Sequence, residues 1–286
     1  MQEIVRGINV TKIFKKGILS MNKRIAVERV NISLFQGETL TILGESGSGK
    51  TTLVKLLLKI IKPTYGEVLF LDKGLIGNIS LLSQHPEKAF DPRWKIQRSL
   101  LEPAKIKKIK LEEDFLFGLL EKVNLNMDIL NRYPHEVSGG ELQRIALLRA
   151  VISNPRLLVC DEPTSMLDAS TQALIINFLL KLKRERHLTL MFITHDIELA
   201  KVISERTAIM YYGEIIEIGQ NIFKEPLHPY TKLFLKGEIK PQENLFIYST
   251  GCKFYQICPS RERICLHKRP PLSILTNRKV KCWLYA

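Results

Sequence analysis

The chain has no apolar run that approaches the roughly 18 residues a membrane-spanning helix needs, so we expect no bilayer span. It has no internal repeat and no low-complexity tract. Its first residues, Met1 to Arg6, lack the apolar core of a signal peptide, and we therefore expect a protein that is made and kept in the cytosol. Acidic side chains are in the minority, with 29 Asp and Glu against 43 Lys and Arg, a net charge of +14. This charge suits nucleotide phosphates, an anionic membrane surface or nucleic acid, although a generally lysine-rich composition explains it equally well.

Cysteine is also scarce, with five residues in 286, an odd number. In a reducing compartment, cysteines serve as thiols or metal ligands rather than disulfides. Cys160 lies inside an apolar run and is interpreted as a packing residue. The other four lie beyond residue 237, where the hydrophobic pattern decays. With 45% hydrophobic residues, the chain is long enough for one sizeable core and a small appendage.

A glycine-rich loop between an apolar run, Thr39 to Leu43, and a helix-like run, Thr52 to Ile61, carries the clearest chemical signal. Its glycines let backbone N–H groups turn toward phosphate oxygens, and the following helix directs its positive end to the same place. Lys50 supplies a point charge for the β and γ phosphates, and the Thr51 hydroxyl is suited to bind Mg²⁺. The candidate phosphate-binding residues are Gly44, Glu45, Ser46, Gly47, Ser48, Gly49, Lys50, Thr51 and Thr52.

Two carboxylates follow a second apolar strand, Leu157 to Cys160. Ligands of open α/β sheets bind beyond the carboxyl ends of the strands. Asp161 is therefore placed to hold Mg²⁺, directly or through water, and Glu162 to orient and polarise an attacking water as general base. Two ordinary surface carboxylates after a buried strand are the competing interpretation.

The order of the elements predicts an α/β fold, because helical runs alternate with strands in the second half of the chain, as in a parallel sheet. Residues 86–135 are lysine-rich, and Leu111 to Val123 shows helical periodicity, which indicates a helical subdomain inserted into the sheet domain. The expected strands are Ile4–Val10, Ala26–Leu34, Thr39–Leu43, Gly66–Leu71, Ile79–Ser83, Leu157–Cys160 and Leu190–Thr194. The other expected helices are Thr52–Ile61, Glu141–Ser153, Ala169–Lys183 and Thr231–Lys236.

A Ser-Gly-Gly turn, Ser138, Gly139 and Gly140, precedes one of these helices and offers a hydroxyl and backbone N–H groups to a second anion. Two phosphate sites in one chain make sense if the second binds the γ-phosphate held by another subunit. With the phosphate loop, this run resembles the ATP-binding cassette (ABC) family, whose signature reads Leu-Ser-Gly-Gly-Gln. Val137 and Glu141 replace the first and last residues of that signature, and Glu141 adds negative charge near the phosphate.

The resemblance implies a P-loop NTPase fold with an ABC nucleotide-binding domain that uses ATP and Mg²⁺. It implies that Phe14 stacks on adenine and that His195 is the switch histidine contacting the γ-phosphate. It also implies that Gln84 touches Mg²⁺ or its water and links the site to a permease, and that Asp168 lies in the loop crossing the interface between two cassettes. The implied catalytic residues are Glu162, His195 and Gln84, and the implied magnesium ligands are Thr51, Gln84 and Asp161.

The end of the chain resembles the ATPases of oligopeptide, dipeptide and nickel importers. Its Pro-Leu-His-Pro-Tyr-Thr run, residues 226–231, is typical of them, and so is a C-terminal region with recurring cysteines. Some members hold a 4Fe–4S cluster there, and four thiolates suit such a cluster. Three interpretations stay open: a 4Fe–4S cluster, zinc in spite of the missing two-residue spacings, or reduced thiols without metal. The cysteines concerned are Cys252, Cys258, Cys265 and Cys282.

We therefore expect residues 1–236 to form the ATP-binding domain, with 86–153 as its helical subdomain including the signature, and residues 237–286 to form the cysteine-containing C-terminal region. The expected function is ATP hydrolysis that powers import of short peptides through a separate permease, with nickel or a metal chelate as the alternative solute. The expected partners are a second ABC ATPase, identical or paralogous, two transmembrane permease subunits and an extracytoplasmic solute-binding protein. The expected location is peripheral, on the cytoplasmic face of the plasma membrane. A soluble ABC ATPase acting on DNA or ribosomes is the competing class, but no nucleic acid partner is expected from a chain with one cassette and no long coiled-coil insertion.

Overall fold

The computed structural model describes residues 2–16, 22–164, 167–239 and 250–286. The strands are β1 (Glu3–Lys16), β2 (Asn22–Phe35), β3 (Thr39–Leu43), β4 (Tyr65–Phe70), β5 (Ile79–Leu82), β6 (Leu157–Asp161), β7 (Thr189–Thr194), β8 (Arg206–Tyr211), β9 (Glu214–Gly219), β10 (Leu272–Leu275) and β11 (Arg278–Lys281). The α-helices are α1 (Lys50–Leu57), α2 (Ile96–Ile106), α3 (Glu113–Glu121), α4 (Gly139–Ile152), α5 (Ala169–Arg186), α6 (Ile197–Ile203), α7 (Pro229–Leu235) and α8 (Arg263–His267). The chain divides into two compact units: unit 1 comprises residues 1–4, 35–39 and 70–193, and unit 2 comprises residues 5–34, 40–69 and 194–286.

Unit 1 contains a parallel sheet in the order β7-β6-β5. β6 lies between its two neighbours with all of its residues buried, which explains its unbroken apolar run. α2 packs against α4, and α4 contacts β5. An ion pair of 2.6 Å between Arg149 and Glu102 joins α4 to α2. The strands expected from residues 79, 157 and 190 onward are confirmed, and so is the helical character of the segment between β5 and β6.

Unit 2 contains two sheets. In the first, the strand order is β10-β11-β9-β8-β3, and β3 pairs with β8 in parallel while the other neighbours are antiparallel. The second sheet has the order β2-β1-β4. All residues of β3 are buried, so the strand brings the residues that follow Leu43 to the edge of a well-packed sheet. β3 has the bounds that its sequence predicts.

The Pro-Leu-His-Pro-Tyr-Thr run forms the capped start of α7. The buried carboxylate of Glu217 on β9 accepts the N–H groups of Leu227 and His228, at 3.0 and 2.9 Å. Burial lowers the pKa of His228 to about 3, so its ring is neutral at physiological pH, and its Nδ1 accepts the N–H of Tyr230 at 3.0 Å. Pro229 occupies the first helical position, where no N–H is needed. The run is therefore a structural device that attaches α7 to β9.

Several elements differ from the sequence-based expectations. α1 ends at Leu57 rather than Ile61, and the backbone of Lys59 adopts a left-handed φ of +57° two residues later. The C-terminal region was expected to lack regular patterning, yet β10 and β11 form an antiparallel pair that extends the sheet, with β11 paired to β9. Those strands have four residues each and are only partly buried, so their sequences carry almost no hydrophobic alternation. The partner of β11 on β9 is about 60 residues away in the chain, which local patterns do not report.

A cluster of buried charges attaches the C-terminal region to β2 and β9. Lys253 lies 2.7 Å from Glu28 and 3.1 Å from Glu214, and Arg269 lies 2.6 and 3.2 Å from the same two carboxylates. Burial by itself raises the pKa of Glu28, but the hydrogen bonds and charges of Lys253 and Arg269 outweigh it and hold the pKa below its ordinary value. A carboxyl group with a lowered pKa in the folded state stabilises the protein above its ordinary pKa, and that stability is lost as the pH falls through the folded-state value.

Replacing Lys253 with methionine should lower the free energy of unfolding by about 2–4 kcal/mol at neutral pH, because it leaves two buried carboxylates one cation short. Urea unfolding measures the effect. The matched control is Lys201→Met, which breaks an exposed pair with Glu198 and should cost about 0.5 kcal/mol or less. The difference between wild type and Lys253→Met should shrink once the pH falls below the ordinary carboxyl range, since a protonated Glu28 no longer requires the ammonium group. Equal losses in the two variants would contradict this account of the cluster.

Candidate functional site

The glycine-rich loop lies in unit 2, between the end of β3 at Leu43 and the start of α1 at Lys50. Lys50 is 6% exposed, and its ammonium group donates to the carbonyl oxygens of Gly44 and Glu45, both at 2.8 Å. Gly49 adopts a φ of +106°, and a Cβ at this position would overlap the carbonyl oxygen of Ala26. Only glycine fits there, so the curl of the loop depends on this residue.

The loop presents buried polar groups that fit phosphate oxygens. The Ser48 hydroxyl is buried and makes no hydrogen bond to any part of the chain that the structure describes. A buried hydroxyl without a partner is costly in the absence of a ligand, and it lies in the same loop as the buried Lys50 ammonium group. Ser46 and Gly47 are exposed at the tip of the loop, and Thr51 and Thr52 are half-buried in the first turn of α1. The donor set therefore suits a polyphosphate, and the threonine hydroxyls stand where a magnesium ligand is expected.

Two further residues with expected roles lie in unit 2. His195 directly follows β7 and has an exposed side chain. The backbone next to it is fixed, because the N–H of Asp196 donates to the Thr194 hydroxyl and the Asp196 carboxylate caps α6 at Leu199, both at 3.0 Å. The Phe14 ring is 44% exposed, with Lys12 Nζ 5.4 Å from its centre. Phe14 is thus a surface residue of β1 rather than a core residue, as stacking on a base requires.

In unit 1, the end of β6 gathers Asp161, Glu162 and Gln84. Asp161 is buried at the carboxyl end of the strand. Glu162 adopts a left-handed φ of +51°, and its N–H donates to the carbonyl of Ile193 at 2.9 Å. Gln84 Nε2 donates to Glu162 Oε2 at 2.9 Å. The structure therefore brings together two residues, Gln84 and Glu162, that the sequence singles out separately.

Gln143 is a residue for which the sequence suggested no role. It lies on α4, is 1% exposed, and donates from Nε2 to the carbonyl of Pro163 at 2.5 Å. The same nitrogen lies 3.5 Å from the carbonyl of Glu162. Gln143 thus fixes the turn that carries Glu162. Its place within the Ser-Gly-Gly-Glu-Leu-Gln run is the signal that could have identified it.

The Ser-Gly-Gly turn forms the start of α4, with Ser138 as its N-cap. The Ser138 hydroxyl accepts the N–H of Glu141 at 3.2 Å, and Glu141 Oε2 accepts the Ser138 N–H at 2.7 Å. This reciprocal arrangement is a capping box, which the Ser-x-x-Glu spacing predicts. The hydrogen bonds from Ser138 lower the pKa of Glu141, so this carboxylate stays charged. Glu141 therefore has a local structural task besides any effect on a bound phosphate.

Asp168 forms the N-cap of α5. Its carboxylate accepts the Thr171 N–H at 2.9 Å and the hydroxyls of Ser170 and Thr171 at 2.5 and 2.8 Å. These hydrogen bonds, led by that from Ser170, hold the pKa of Asp168 well below its usual range. Two residues of the same expected loop, Ser165 and Met166, lie outside the described residues.

The four C-terminal cysteines line one pocket in unit 2, together with His228 and Phe254. The N–H of Cys252 donates to the carbonyl of Cys265 at 2.8 Å. Burial, with smaller contributions from the charges of the other three cysteines, raises the pKa of Cys252 to about 12. Among the residues that the structure describes, no group of three or more His, Cys, Asp or Glu is arranged to hold a metal ion. The remaining cysteine, Cys160, is wholly buried in β6, and burial raises its pKa, which agrees with a packing role.

Comparison with known proteins supports the resemblance. The sequence profile described as ABC transporter matches residues 27–165. The oligopeptide transport ATP-binding protein OppF of Salmonella typhimurium is 36% identical over 290 residues, which cover 90% of this chain and 87% of OppF. The putative oligopeptide transport ATP-binding protein YkfD of Bacillus subtilis is also 36% identical, over 91% of this chain and 89% of that protein. The dimeric ATP-binding cassette MJ0796, solved in a post-hydrolysis state with ADP and Pi, is 29% identical with a TM-score of 0.67, and the match covers 76% of this chain and 98% of that chain.

These matches confirm the expected α/β fold of a P-loop NTPase with an ABC nucleotide-binding domain. ATP and Mg²⁺ are the cofactors of ABC ATPases in general, and the loop from Gly44 to Thr52 contains the donors that they require. Within the described ranges, no helix is long and apolar enough to cross a membrane. The chain belongs to the ABC transporter family, as a subunit that binds and hydrolyses ATP.

Proposed function

We propose that this chain is the ATP-hydrolysing subunit of an importer that takes up short peptides through a separate membrane permease. The observation that carries the proposal is the 36% identity to OppF over 90% of the chain, since the match extends beyond the nucleotide-binding domain. The capped Pro-Leu-His-Pro-Tyr-Thr segment and the cysteine-lined pocket add support, because both resemble features that are typical of peptide-importer ATPases. Nickel or a metal chelate is the alternative solute.

The residues of unit 2 receive the following roles. Lys50, Ser48 and the N–H groups of the loop bind the β and γ phosphates of ATP. Thr51 binds Mg²⁺, Phe14 stacks on adenine, and His195 contacts the γ-phosphate. The exposed rings of Phe14 and His195 are consistent with these roles, because both can reach a ligand from the surface.

The residues of unit 1 carry the hydrolytic step. Asp161 and Gln84 hold Mg²⁺ directly or through its water, and Mg²⁺ supplies charge neutralisation for the phosphates. The Glu162 carboxylate takes a proton from the attacking water, whose oxygen forms a bond to the γ-phosphorus while the bond to the ADP oxygen breaks. The contact between Gln84 and Glu162 supports this assignment, because an amide donor holds the base in one orientation.

A second ATPase subunit, identical or paralogous, completes each nucleotide site. The turn at Ser138, Gly139, Gly140 and Glu141 would bind the γ-phosphate held by the other subunit, and Asp168 would lie at the interface. The N-terminus of α4 supports this assignment through its N–H groups and its positive end. We further propose residues 1–236 as the ATP-binding domain, with 86–153 as its helical subdomain, and residues 237–286 as the C-terminal region. The subunit would act at the cytoplasmic face of the membrane with two permease subunits and an extracytoplasmic solute-binding protein.

The C-terminal region is proposed to hold a 4Fe–4S cluster on Cys252, Cys258, Cys265 and Cys282. The donor set fits such a cluster, because four thiols line one pocket. A cluster binds each thiolate at a different iron atom, so its sulfur ligands stand further apart than those of a single ion. The absence of a single-ion arrangement among the described residues is therefore compatible with a cluster.

Transport in reconstituted vesicles tests the function. The chain, with its partner ATPase and permease pair, should hydrolyse ATP faster when the cognate binding protein carries a short peptide, and should accumulate that peptide. Stimulation by nickel or a nickel chelate instead of peptide would select the alternative solute. Co-purification with ribosomes or DNA, without stimulation by any binding protein, would overturn the assignment to import.

Replacing Glu162 with glutamine should leave ATP binding intact but reduce hydrolysis about 10²–10⁴-fold, the contribution typical of a general base. Because ATP then persists, the variant should accumulate as a closed dimer. Phosphate release and size-exclusion chromatography with ATP measure the two effects. Glu185→Gln, which alters an exposed carboxylate on α5, is the matched control and should behave as wild type. Hydrolysis within a few-fold of wild type in Glu162→Gln would refute the base assignment.

Full-length protein purified without oxygen should be brown and contain about four iron and four sulfide per chain. Cys258→Ser and Cys265→Ser should lose the colour and the iron, because each removes one thiolate ligand. Cys160→Ala is the control and should retain both, since Cys160 is packed inside β6. A colourless wild-type protein that contains zinc or no metal would overturn the cluster assignment.

A further inference from the structure

Helix α4 carries two groups of unit 1 that bear on the nucleotide sites. It begins at the signature turn, where Ser138 is the N-cap and where the γ-phosphate held by the other subunit is proposed to bind. Gln143 lies five residues further along the same helix. Because an α-helix rises about 1.5 Å per residue, Gln143 is only about 8 Å along the helix axis from that turn. A shift of the signature turn along α4 therefore moves Gln143 as well.

α4 is itself firmly held in unit 1. Nine of its 14 residues are buried. Near its C-terminal end, Arg149 donates from Nε to the carbonyl oxygen of Ser99 at 2.9 Å and forms an ion pair of 2.6 Å with Glu102, both on α2. These contacts prevent α4 from rotating about its own axis, so the direction in which the Gln143 side chain leaves the helix is fixed.

The Gln143 amide is directed at the turn that follows β6. Its Nε2 lies 2.5 Å from the carbonyl oxygen of Pro163 and 3.5 Å from that of Glu162. Both neighbours are carbonyl oxygens, which only accept hydrogen bonds, so the amide nitrogen rather than the amide oxygen faces them. Gln143 therefore connects α4 to the backbone of the proposed general base and of the residue after it.

The amide oxygen of Gln143 argues against a role in packing alone. The side chain is 1% exposed, and its Oε1 makes no hydrogen bond to any described residue. A buried polar atom without a partner lowers stability, whereas an apolar side chain of similar size fills the same space without that penalty. An apolar residue would thus serve packing better, and the contact with the turn is what an amide adds at this position.

The backbone of Glu162 needs a contact of this kind. Its φ of +51° is a conformation that residues other than glycine seldom adopt. The Glu162 carboxylate accepts from Gln84 at 2.9 Å, and the Glu162 N–H donates to the carbonyl of Ile193 at 2.9 Å. Gln143 supplies the contact on the carbonyl side of the same residue. Without it, the peptide after Glu162 is free to rotate, and the carboxylate turns with it.

We propose that Gln143 is a positioning residue for hydrolysis, which ties the general base Glu162 to helix α4 of the same chain. The inference rests on the proposed function, since it assumes that Glu162 is the base and that the turn at Ser138 meets the other subunit's nucleotide. It adds a physical link between the two nucleotide sites of a closed dimer. With its N-terminus α4 contacts one nucleotide, and through Gln143 it aligns the base that acts on the other.

Gln143→Met removes the amide and keeps an unbranched side chain of similar size. Phosphate release by the full-length protein at saturating MgATP should fall about 10- to 100-fold, because a misaligned base slows the reaction without weakening binding. MgADP affinity, measured by calorimetry, should stay within about twofold of wild type. Since ATP then persists, the variant should accumulate as a closed dimer in size-exclusion chromatography, as expected for Glu162→Gln. Gln97→Met, which alters an exposed glutamine on α2, is the matched control and should hydrolyse ATP as wild type does.

The closed dimer distinguishes positioning of the base from damage to the helix. Damage to α4 would disable the turn at Ser138 too, so both hydrolysis and the closed dimer would be lost. In the Glu162→Gln background, Gln143→Met should lower the residual hydrolysis by less than about twofold, because both changes act on one group. Gln143→Asn keeps the amide but is one methylene shorter, and it should show the same loss of hydrolysis if Gln143→Met does not fold.

The possible results separate this inference from the proposed function. Hydrolysis within a few-fold of wild type in folded Gln143→Met or Gln143→Asn would overturn the inference alone. Loss of the closed dimer together with hydrolysis would do so as well, and so would an undiminished further loss in the Glu162→Gln background. Hydrolysis at the wild-type rate in Glu162→Gln itself would instead contradict the proposed function.

Discussion

The buried ammonium group of Lys50 determines which ligands the phosphate loop favours. Lys50 is almost wholly removed from water, and a charge in such surroundings needs partners. In this structure its partners include the carbonyl oxygens of Gly44 and Glu45, which are neutral. Hydrogen bonds between two ionised groups are shorter and stronger than those to neutral acceptors. A phosphate that reaches the loop therefore exchanges weak partners of Lys50 for strong ones, and this exchange favours binding of polyphosphates over neutral ligands.

The Glu162 carboxylate at the end of β6 is also held in place by its surroundings, as the Lys50 ammonium group is. A left-handed backbone at a residue other than glycine costs about 1–2 kcal/mol, so the conformation of Glu162 must be stabilised by its surroundings. The N–H of Glu162 is held by the carbonyl of Ile193, the following peptide by Gln143, and the carboxylate by Gln84. These contacts come from three separate segments of the chain. A general base needs a fixed orientation toward its water, and the strained turn provides one.

The parts of the site that could be predicted from the sequence are those whose chemistry is local. The loop from Gly44 to Thr51 and the buried strand before Asp161 each place their chemically important residues within a few positions. These motifs can therefore be recognised from the sequence alone. The contact of Gln143 with Pro163 and the contact of Phe254 with Tyr230 join segments that are ordinary on their own. The same reason applies to β11, which pairs with the distant β9 and in turn supports β10. The pattern of β1 alone does not show which face of the strand Phe14 occupies, and its exposure was expected only from the stacking role that the family resemblance implies.

The C-terminal region packs against the core that supports the phosphate loop, because Phe254 contacts Tyr211 and Tyr230 and belongs to the same hydrophobic cluster as Leu43. Coupling between two sites is reciprocal: whatever factor the ordered region adds to nucleotide affinity, bound nucleotide adds to the ordering of the region. The ion cluster around Glu28 and Glu214 holds the region to β2 and β9 whether or not the cysteines bind a metal. Changes at the cysteine-lined pocket can reach the loop through the packing of Phe254 and its neighbours. They can also reach it through the backbone, because Lys253 Nζ donates to the carbonyl of Tyr212 and the N–H of the next residue, Gly213, donates to the carbonyl of Ser48. Because aromatic contacts of this kind contribute about 0.5–1.5 kcal/mol each, the packing of Phe254 by itself accounts for a several-fold change in ATP affinity.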